Sequence, residues 1–178
     1  LEDVYTVAGS SALYVLDLEG QRRPATLNDL IDFTRLIDAI PNADIMHAMV
    51  VPQDIPQPGF DRILFATILE HSAKHYYSQG EGEQSVHDQV QMAAVIQGSR
   101  QAVRENPCFS MVTCLTSPLV HTAERVQEIM ACAEYGIPLW LEATNMMGAT
   151  APISISGALV EHTANVLAAV VLVQMLNP

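Results

Sequence analysis

The chemistry open to this chain rests with a few polar and aromatic residues at the ends of apolar runs. Along Ile137 to Glu142, side chains of an extended backbone alternate, so Trp140 and Glu142 share one face and Leu139 and Leu141 the other. An indole face beside a carboxylate suits an organic cation, each cation and ring pair contributing about 0.5 to 2 kcal/mol. By the same alternation His75 and Tyr77 share a face, with Gln79 just beyond. Tyr77 is therefore the second candidate aromatic wall, and Tyr76 packs under helices. Thr116, Ser117 and Asn145 are short polar residues on loops, able to donate hydrogen bonds to a bound group. The same residue types cap helices, the role that Ser117 before Pro118 and Thr122 before Glu124 would fill.

Metal chemistry has little support. His71 and His75 stand four apart, but the helix carrying His71 is predicted to end near Ser72, and HSAKH lacks the base of an HExxH motif. His47 reads as a core histidine in mid-strand, and His121 and His162 as structural residues at or within helices. Cys108, Cys114 and Cys132 form an odd set without CxxC spacing, which points to neither a disulfide framework nor a zinc cluster and fits a reduced cytoplasm.

These residues need elements to hold them. Tyr5–Val7 and Ala12–Leu16 are β-prone runs around Ala8-Gly9-Ser10-Ser11 and predict a hairpin, with a turn at Glu19-Gly20 after it. Thr26, with Asp29 three residues on, predicts the N-cap of a helix that stops before Pro41. Four strand and helix units follow. Their strands are Ile45–Val51, the stretch around His75–Ser78, Cys108–Cys114 and Ile137–Glu142. Their helices are Ile63–Ser72, Val86 to about Arg104, Thr122–Tyr135 and a long terminal one. Near-continuous apolar strands alternating with helices predict an α/β fold with a parallel sheet, either a barrel or an open sheet.

The segment GATAPISISGALVEHTANVLAAVVLVQ, Gly148 to Gln174, combines a small-residue loop with a long apolar helix. Gly148 permits a turn that a Cβ would resist, Pro152 stiffens the loop, and Ser154 or Ser156 can accept from the first free helix amides. Met146 and Met147, just before it, offer adaptable apolar surface.

Composition narrows the partners. Of 178 residues, 49% are hydrophobic and 16% charged, enough for the core of a single domain over 1–178. Eight basic against twenty acidic residues give a net charge of −12, which repels phosphate and excludes nucleic acid as an expected partner while mildly attracting cations. The run Val166–Val173 is too short to cross a bilayer, and Glu161, His162 and Asn165 interrupt any longer window, so no membrane partner is expected. Glu2 and Asp3 stand where a signal peptide would be basic, and Leu1 suggests an excised piece. No GxGxxG or P-loop supports a nucleotide-binding reading, and Gly80-Glu81-Gly82-Glu83 would place two carboxylates against any phosphate.

The Gly148 segment, YVLDLEGQRRPATLNDLIDFTRLIDAIPN, VVPQDIP and the TSPL of Thr116 to Leu119 occur in an order that resembles the trimethylamine:corrinoid methyltransferase family over nearly the whole chain. The resemblance implies a partial (β/α)8 TIM-type barrel: a hairpin over residues 1–25, then a helix and about four parallel βα units over 26–178. The chain looks like the central part of a longer protein and does not include the family's pyrrolysine position. It implies a cytoplasmic enzyme of methylamine metabolism or methanogenesis, moving a methyl group from a tertiary or quaternary methylamine, or a betaine, to a cobalt(I) corrinoid. That corrinoid is carried by a cognate partner protein, and this chain binds none directly.

Under that implication Glu142, Trp140, Tyr77, Asn145 and Thr116 are candidates for substrate binding. Gly148, Met147 and Ser117 are candidates for contact with the corrinoid, and no catalytic residue or metal ligand is assigned. Half a barrel leaves sheet edges open, so a homo-oligomer is expected. The alternative is a non-catalytic α/β scaffold or binding module that self-associates through those edges.

Overall fold

The computed structural model describes residues 4–9 and 11–178. Leu1, Glu2 and Asp3, on which the signal-peptide and excised-piece readings rest, and Ser10, in the first predicted hairpin loop, lie outside the described residues. The chain forms two units, one up to Ser78 and the other from Gln79 to Pro178.

In the first unit the hairpin forms around Glu19-Gly20, pairing β1 (Tyr14–Leu16) with β2 (Arg22–Pro24) antiparallel. Asp17 sets the turn: its carboxylate accepts from the amides of Glu19 and Gln21, and Gly20 takes a left-handed φ of 78°. The earlier run therefore does not fold back on Ala12–Leu16 as its β propensity suggests. Thr6, Ala8, Ser11 and Ala12 instead exchange backbone hydrogen bonds with residues from Asp44 to Val51. Those contacts are irregular, with isolated bridges from Val7 to Ile45 and from Ala12 to Val50, and the regular strand β3 is only Ile45–Met46.

Helix α1 (Leu27–Asp38) begins where its cap dictates. Thr26 Oγ1 accepts from the Asp29 amide, and Asp29 returns a bond to the Thr26 amide, closing a capping box. The guanidinium of Arg23, 2.6 Å away, together with Thr26, holds the Asp29 carboxyl well below the usual carboxylate range. At the far end Lys74 Nζ donates to the carbonyls of Ile37 and Ile40, placing a cation at the negative end of the helix dipole. Helix α2 (Phe60–His71) leads to β4 (His75–Gln79), parallel to β3 with Met46 beside Tyr76. Tyr76 is buried against Phe65 of α2, and burial pushes its phenol up. His71 closes a helix and His75 opens a strand, so the spacing that would suit a metal on one helix is not realised.

In the second unit the helix expected over Val86 to Arg104 is two. Helix α3 (Gly82–Gln97) ends at Gly98, whose φ of 90° leaves the helical region, and Ser99 restarts α4 (Arg100–Glu105) by accepting from the Ala102 amide. Strand β5 (Phe109–Leu115), helix α5 (Ala123–Tyr135), strand β6 (Leu139–Ala143) and helix α6 (Ile155–Leu176) follow. β5 and β6 are parallel, with Val112 beside Trp140 and Cys114 beside Glu142. Each unit thus holds a parallel strand pair with helical connections, an α/β arrangement.

Leu115, Ala143, Ile129 and Ala169 close the core between β5, β6, α5 and α6, with Leu139, Leu141, Val166, Leu172 and Val173 packed on it. At about 25 cal/mol per Å² of apolar area removed from water, this packing is what holds α6 to the strands. α6 runs for 22 residues, well beyond the apolar run Val166–Val173. By length and composition it could cross a membrane, and 17% of its most apolar window is buried. Leu159, Val160, Leu167, Val171 and Met175 are exposed on it. The three cysteines are free.

Candidate functional site

The β5 and β6 register sorts the candidate residues by face. Leu139, Leu141 and Ala143 point to the helices, and alternation carries Trp140 and Glu142 to the other side beside Val112 and Cys114. Trp140 Nε1–H donates to Ser110 Oγ at 2.8 Å, which fixes the indole across the strand pair while 40% of the residue stays exposed. Glu142 is exposed beside Cys114, whose thiol is pushed up by burial and next by the Glu142 charge, against the lowering effect of Arg125. An aromatic surface and a carboxylate therefore share one accessible face of β6. Tyr77, in the first unit, meets His47 edge to face with ring centroids 5.0 Å apart. His47 is buried, and its Nδ1–H donates to the Tyr77 carbonyl at 3.0 Å.

The loops after β5 and β6 both dock on the first turns of α6. In the first loop Ser117–Pro118 is a cis peptide and Leu119 has a positive φ of 52°. The Thr116 carbonyl accepts from Asn165 Nδ2 at 3.2 Å, and the Leu119 amide donates to Glu161 Oε1 at 3.4 Å. In the second loop Gly148 turns with a φ of 82°, the Met146 carbonyl accepts from the amides of Ala149, Thr150 and Ala151, and Met147 stays exposed. Ser154 caps α6 by accepting from the Gly157 amide. Thr122, not Ser117, caps α5. Gly157 is packed so closely that a Cβ there would lie 2.7 Å from Pro152 Cβ.

Three residues join the candidates that neither alternation nor motif spacing had singled out. His162 Nδ1–H donates to the Ala143 carbonyl at 3.1 Å and lies 3.3 Å from Asn145 Oδ1, which sets the tautomer and leaves Nε2 as the acceptor nitrogen of the neutral ring. Glu161 and Asn165 stand one turn apart on α6, 8% and 1% exposed. Glu161 Oε2, Asn165 Oδ1, Ser117 Oγ and Asn145 Nδ2 are buried atoms without a hydrogen-bond partner among the described residues. The signal lay in polar residues at i, i+1 and i+4 of an otherwise apolar helix, which earlier served only to argue against a membrane span.

Two grooves flank this seam. One of about 490 Å³ is lined by Ala143, Asn145, Met147, Ile155, Leu159 and His162 among others. The other, of about 470 Å³, is lined by Leu119, Pro152, Ser154, Gly157, Val160 and Glu161 among others. Among the described residues no group of three or more His, Cys, Asp or Glu side chains could hold a metal ion.

Behind β5 lies a second buried carboxylate. Glu128 of α5 accepts from Thr113 Oγ1 at 2.5 Å, Arg125 Nη1 at 2.6 Å and the Gly82 amide at 3.2 Å. Burial pushes its carboxyl up, and those donors oppose the shift. Glu128 thereby ties the Gly80–Glu83 turn, α5 and β5 together.

The sequence profile described as trimethylamine methyltransferase (MTTB) matches residues 1–178. A glycine betaine methyltransferase of Desulfitobacterium hafniense strain Y51 is 31% identical over 99% of this chain and 37% of its own length. A trimethylamine methyltransferase MttB of another strain of that species, DSM 10664 / DCB-2, is 34% identical over 86% of this chain and 31% of its own. The MttB of Methanosarcina barkeri strain Fusaro is 33% identical over 84% and 31%. The chain spans about a third of the length of these relatives.

Proposed function

The chain belongs to the trimethylamine methyltransferase family, and from that premise we propose that it serves, as part of a (β/α)8 barrel, in methyl transfer from a tertiary or quaternary methylamine or betaine to a cobalt(I) corrinoid. The observation that carries the reading is the family match across residues 1–178, joined to an accessible face of β6 that presents Trp140 and Glu142 together.

Transfer of a methyl group from a quaternary or protonated tertiary ammonium breaks its C–N bond and would release a neutral amine, so the protein's task is chiefly to orient a cation and keep water from it. Trp140 offers its π face, held by Ser110, and Glu142 supplies the opposite charge at the strand's C-terminal end. Tyr77, in the first unit, is a further aromatic candidate for binding the substrate cation. Thr116, Ser117 and Asn145 line the mouth of the barrel in this reading, on loops that follow β5 and β6 and dock on α6. The corrinoid arrives as a substrate on a cognate protein in the cytoplasm, and the Gly148 turn with exposed Met147 is the surface assigned to it. The 490 Å³ groove beside Met147 is apolar at Ile155, Ala158 and Leu159, in keeping with a macrocycle edge and not a bare ion.

The test is methyl transfer to a reduced corrinoid protein by the full-length protein that contains this chain, since this part by itself is expected to be inactive, with a panel of tertiary and quaternary amines. Transfer from at least one amine, with Glu142→Gln raising its KM about tenfold, is the expected result. No transfer from any of them, or an unchanged KM in the variant, removes the reading or the role of Glu142 respectively. The exposed apolar face of α6 favours a second reading, a self-associating scaffold, for which oligomerisation without any transfer is the expected outcome.

A further inference from the structure

Glu161 is a buried carboxylate without adequate partners. It is 8% exposed, Oε1 holds one long bond at 3.4 Å, Oε2 holds none, and no ion pair among the described residues reaches it. A buried carboxylate left this way is better accommodated when a counter-charge with hydrogen-bond donors arrives. Its neighbours repeat the deficit. Asn165, one turn on, donates from Nδ2 to the Thr116 carbonyl and leaves Oδ1 unpaired; Ser117 Oγ, next to Thr116 on that loop, is unpaired as well. Three oxygens with free acceptor lone pairs, one of them a carboxylate's, thus belong to the stretch where the Thr116–Leu119 loop docks on α6.

We propose that Glu161, Asn165 and Ser117 form a binding site for a protonated, N–H-bearing alkylammonium group, distinct from the Trp140 and Glu142 face. Charge requires a cation. Divalent ions of the calcium type take about six to eight oxygens, more than this set offers. The adjoining groove is walled by Leu119, Pro152, Gly157, Val160 and Ala164, which suit methyl groups and not a hydration shell. Alkylamines carry their proton at neutral pH as the lysine side chain does. Each N–H then meets one oxygen, and each methyl group meets the apolar wall.

A quaternary ammonium carries the same charge but has no N–H to give. The site therefore prefers methylammonium and dimethylammonium to tetramethylammonium. Dimethylammonium is the protonated species left after one methyl group is taken from trimethylamine, so the site holds the demethylated amine. That assignment, unlike the binding itself, rests on the proposed methyl transfer.

Amide NMR of the unmodified chain tests the binding, with dimethylammonium, tetramethylammonium and potassium chlorides at matched ionic strength. The Leu119 amide, bonded to Glu161, is expected to titrate saturably with dimethylammonium and about tenfold more weakly with tetramethylammonium, the worth of one or more charge-assisted hydrogen bonds. Glu161→Gln should weaken dimethylammonium binding about tenfold or more, and Ser117→Ala by a smaller factor. A Leu119 amide that does not respond overturns the proposal, as does an equal response to potassium, which would make this an alkali-ion site. Affinity unchanged in Glu161→Gln also overturns it. Should that variant misfold, the three salts on the unmodified chain still decide. A responding Leu119 in a protein that transfers no methyl group would sink the product role and leave the ammonium site standing.

Discussion

Two buried glutamates in the second unit, Glu128 on α5 and Glu161 on α6, answer the same problem in opposite ways. Glu128 is surrounded by donors from three directions: a hydroxyl of β5, a guanidinium one turn back on its own helix and the amide of Gly82. Glu161 receives one backbone amide at long range, and its other oxygen has no hydrogen-bond partner among the described residues. The first joins a turn, a helix and a strand; the second carries an unmet demand for positive charge. A buried carboxylate is thus a joint or a receptor according to who supplies the donors, and burial alone does not distinguish them.

Substitution separates the two cases. Glu128→Ala strips Arg125, Thr113 and Gly82 of their shared acceptor and should lower unfolding free energy by about 3 to 5 kcal/mol in urea titrations. A loss below about 1 kcal/mol would mean that Glu128 joins nothing.

The open face of β6 should show a milder dependence. Trp140→Phe removes the bond to Ser110 and should cost about 0.5 to 1.5 kcal/mol by the same titration.

Asp29 is the surface counterpart, with its donors on a capping box. Its carboxyl is lowered by Arg23 first and Thr26 next, so its stabilisation is fully present above the unfolded aspartate value of about 4 and is lost as pH falls below it. Asp29→Asn should cost about 1 kcal/mol at neutral pH and flatten the acid limb of a stability against pH curve. An unchanged acid limb would remove Asp29 from that role.

Glu161→Gln should have the smallest effect, leaving thermal stability without ligand unchanged or raised by up to about 1 kcal/mol, because an uncompensated charge is gone. A loss comparable to that of Glu128→Ala would erase the contrast between the two glutamates.

Much of this arrangement was legible in the residues. Thr26 and Asp29 announced their capping box, the helices α2 and α5 fell close to their predicted ranges, and strict alternation along Leu139 to Ala143 separated Trp140 and Glu142 from the leucines. Where reading failed, a non-local bond or a single glycine decided. Asp17 drew the hairpin to Gly20, and the run before Leu13 paired with the stretch after Asp44, which no local propensity encodes. Gly98 lay inside a helical pattern and its left-handed φ ended the helix there. The site was half legible. Loops after strands marked Thr116, Ser117 and Asn145. Glu161, His162 and Asn165 gain their meaning only when α6 folds back over both loops, a matter of tertiary packing.

Gly157 carries a practical corollary. Because its missing methyl group is the gap through which Pro152 approaches the helix, one carbon atom sets the bore of the 470 Å³ groove. Alanine at that position would act as a wedge, prising the proline strap from the rod beneath it, so the size filter for any guest entering beside Val160 is written in an absent side chain.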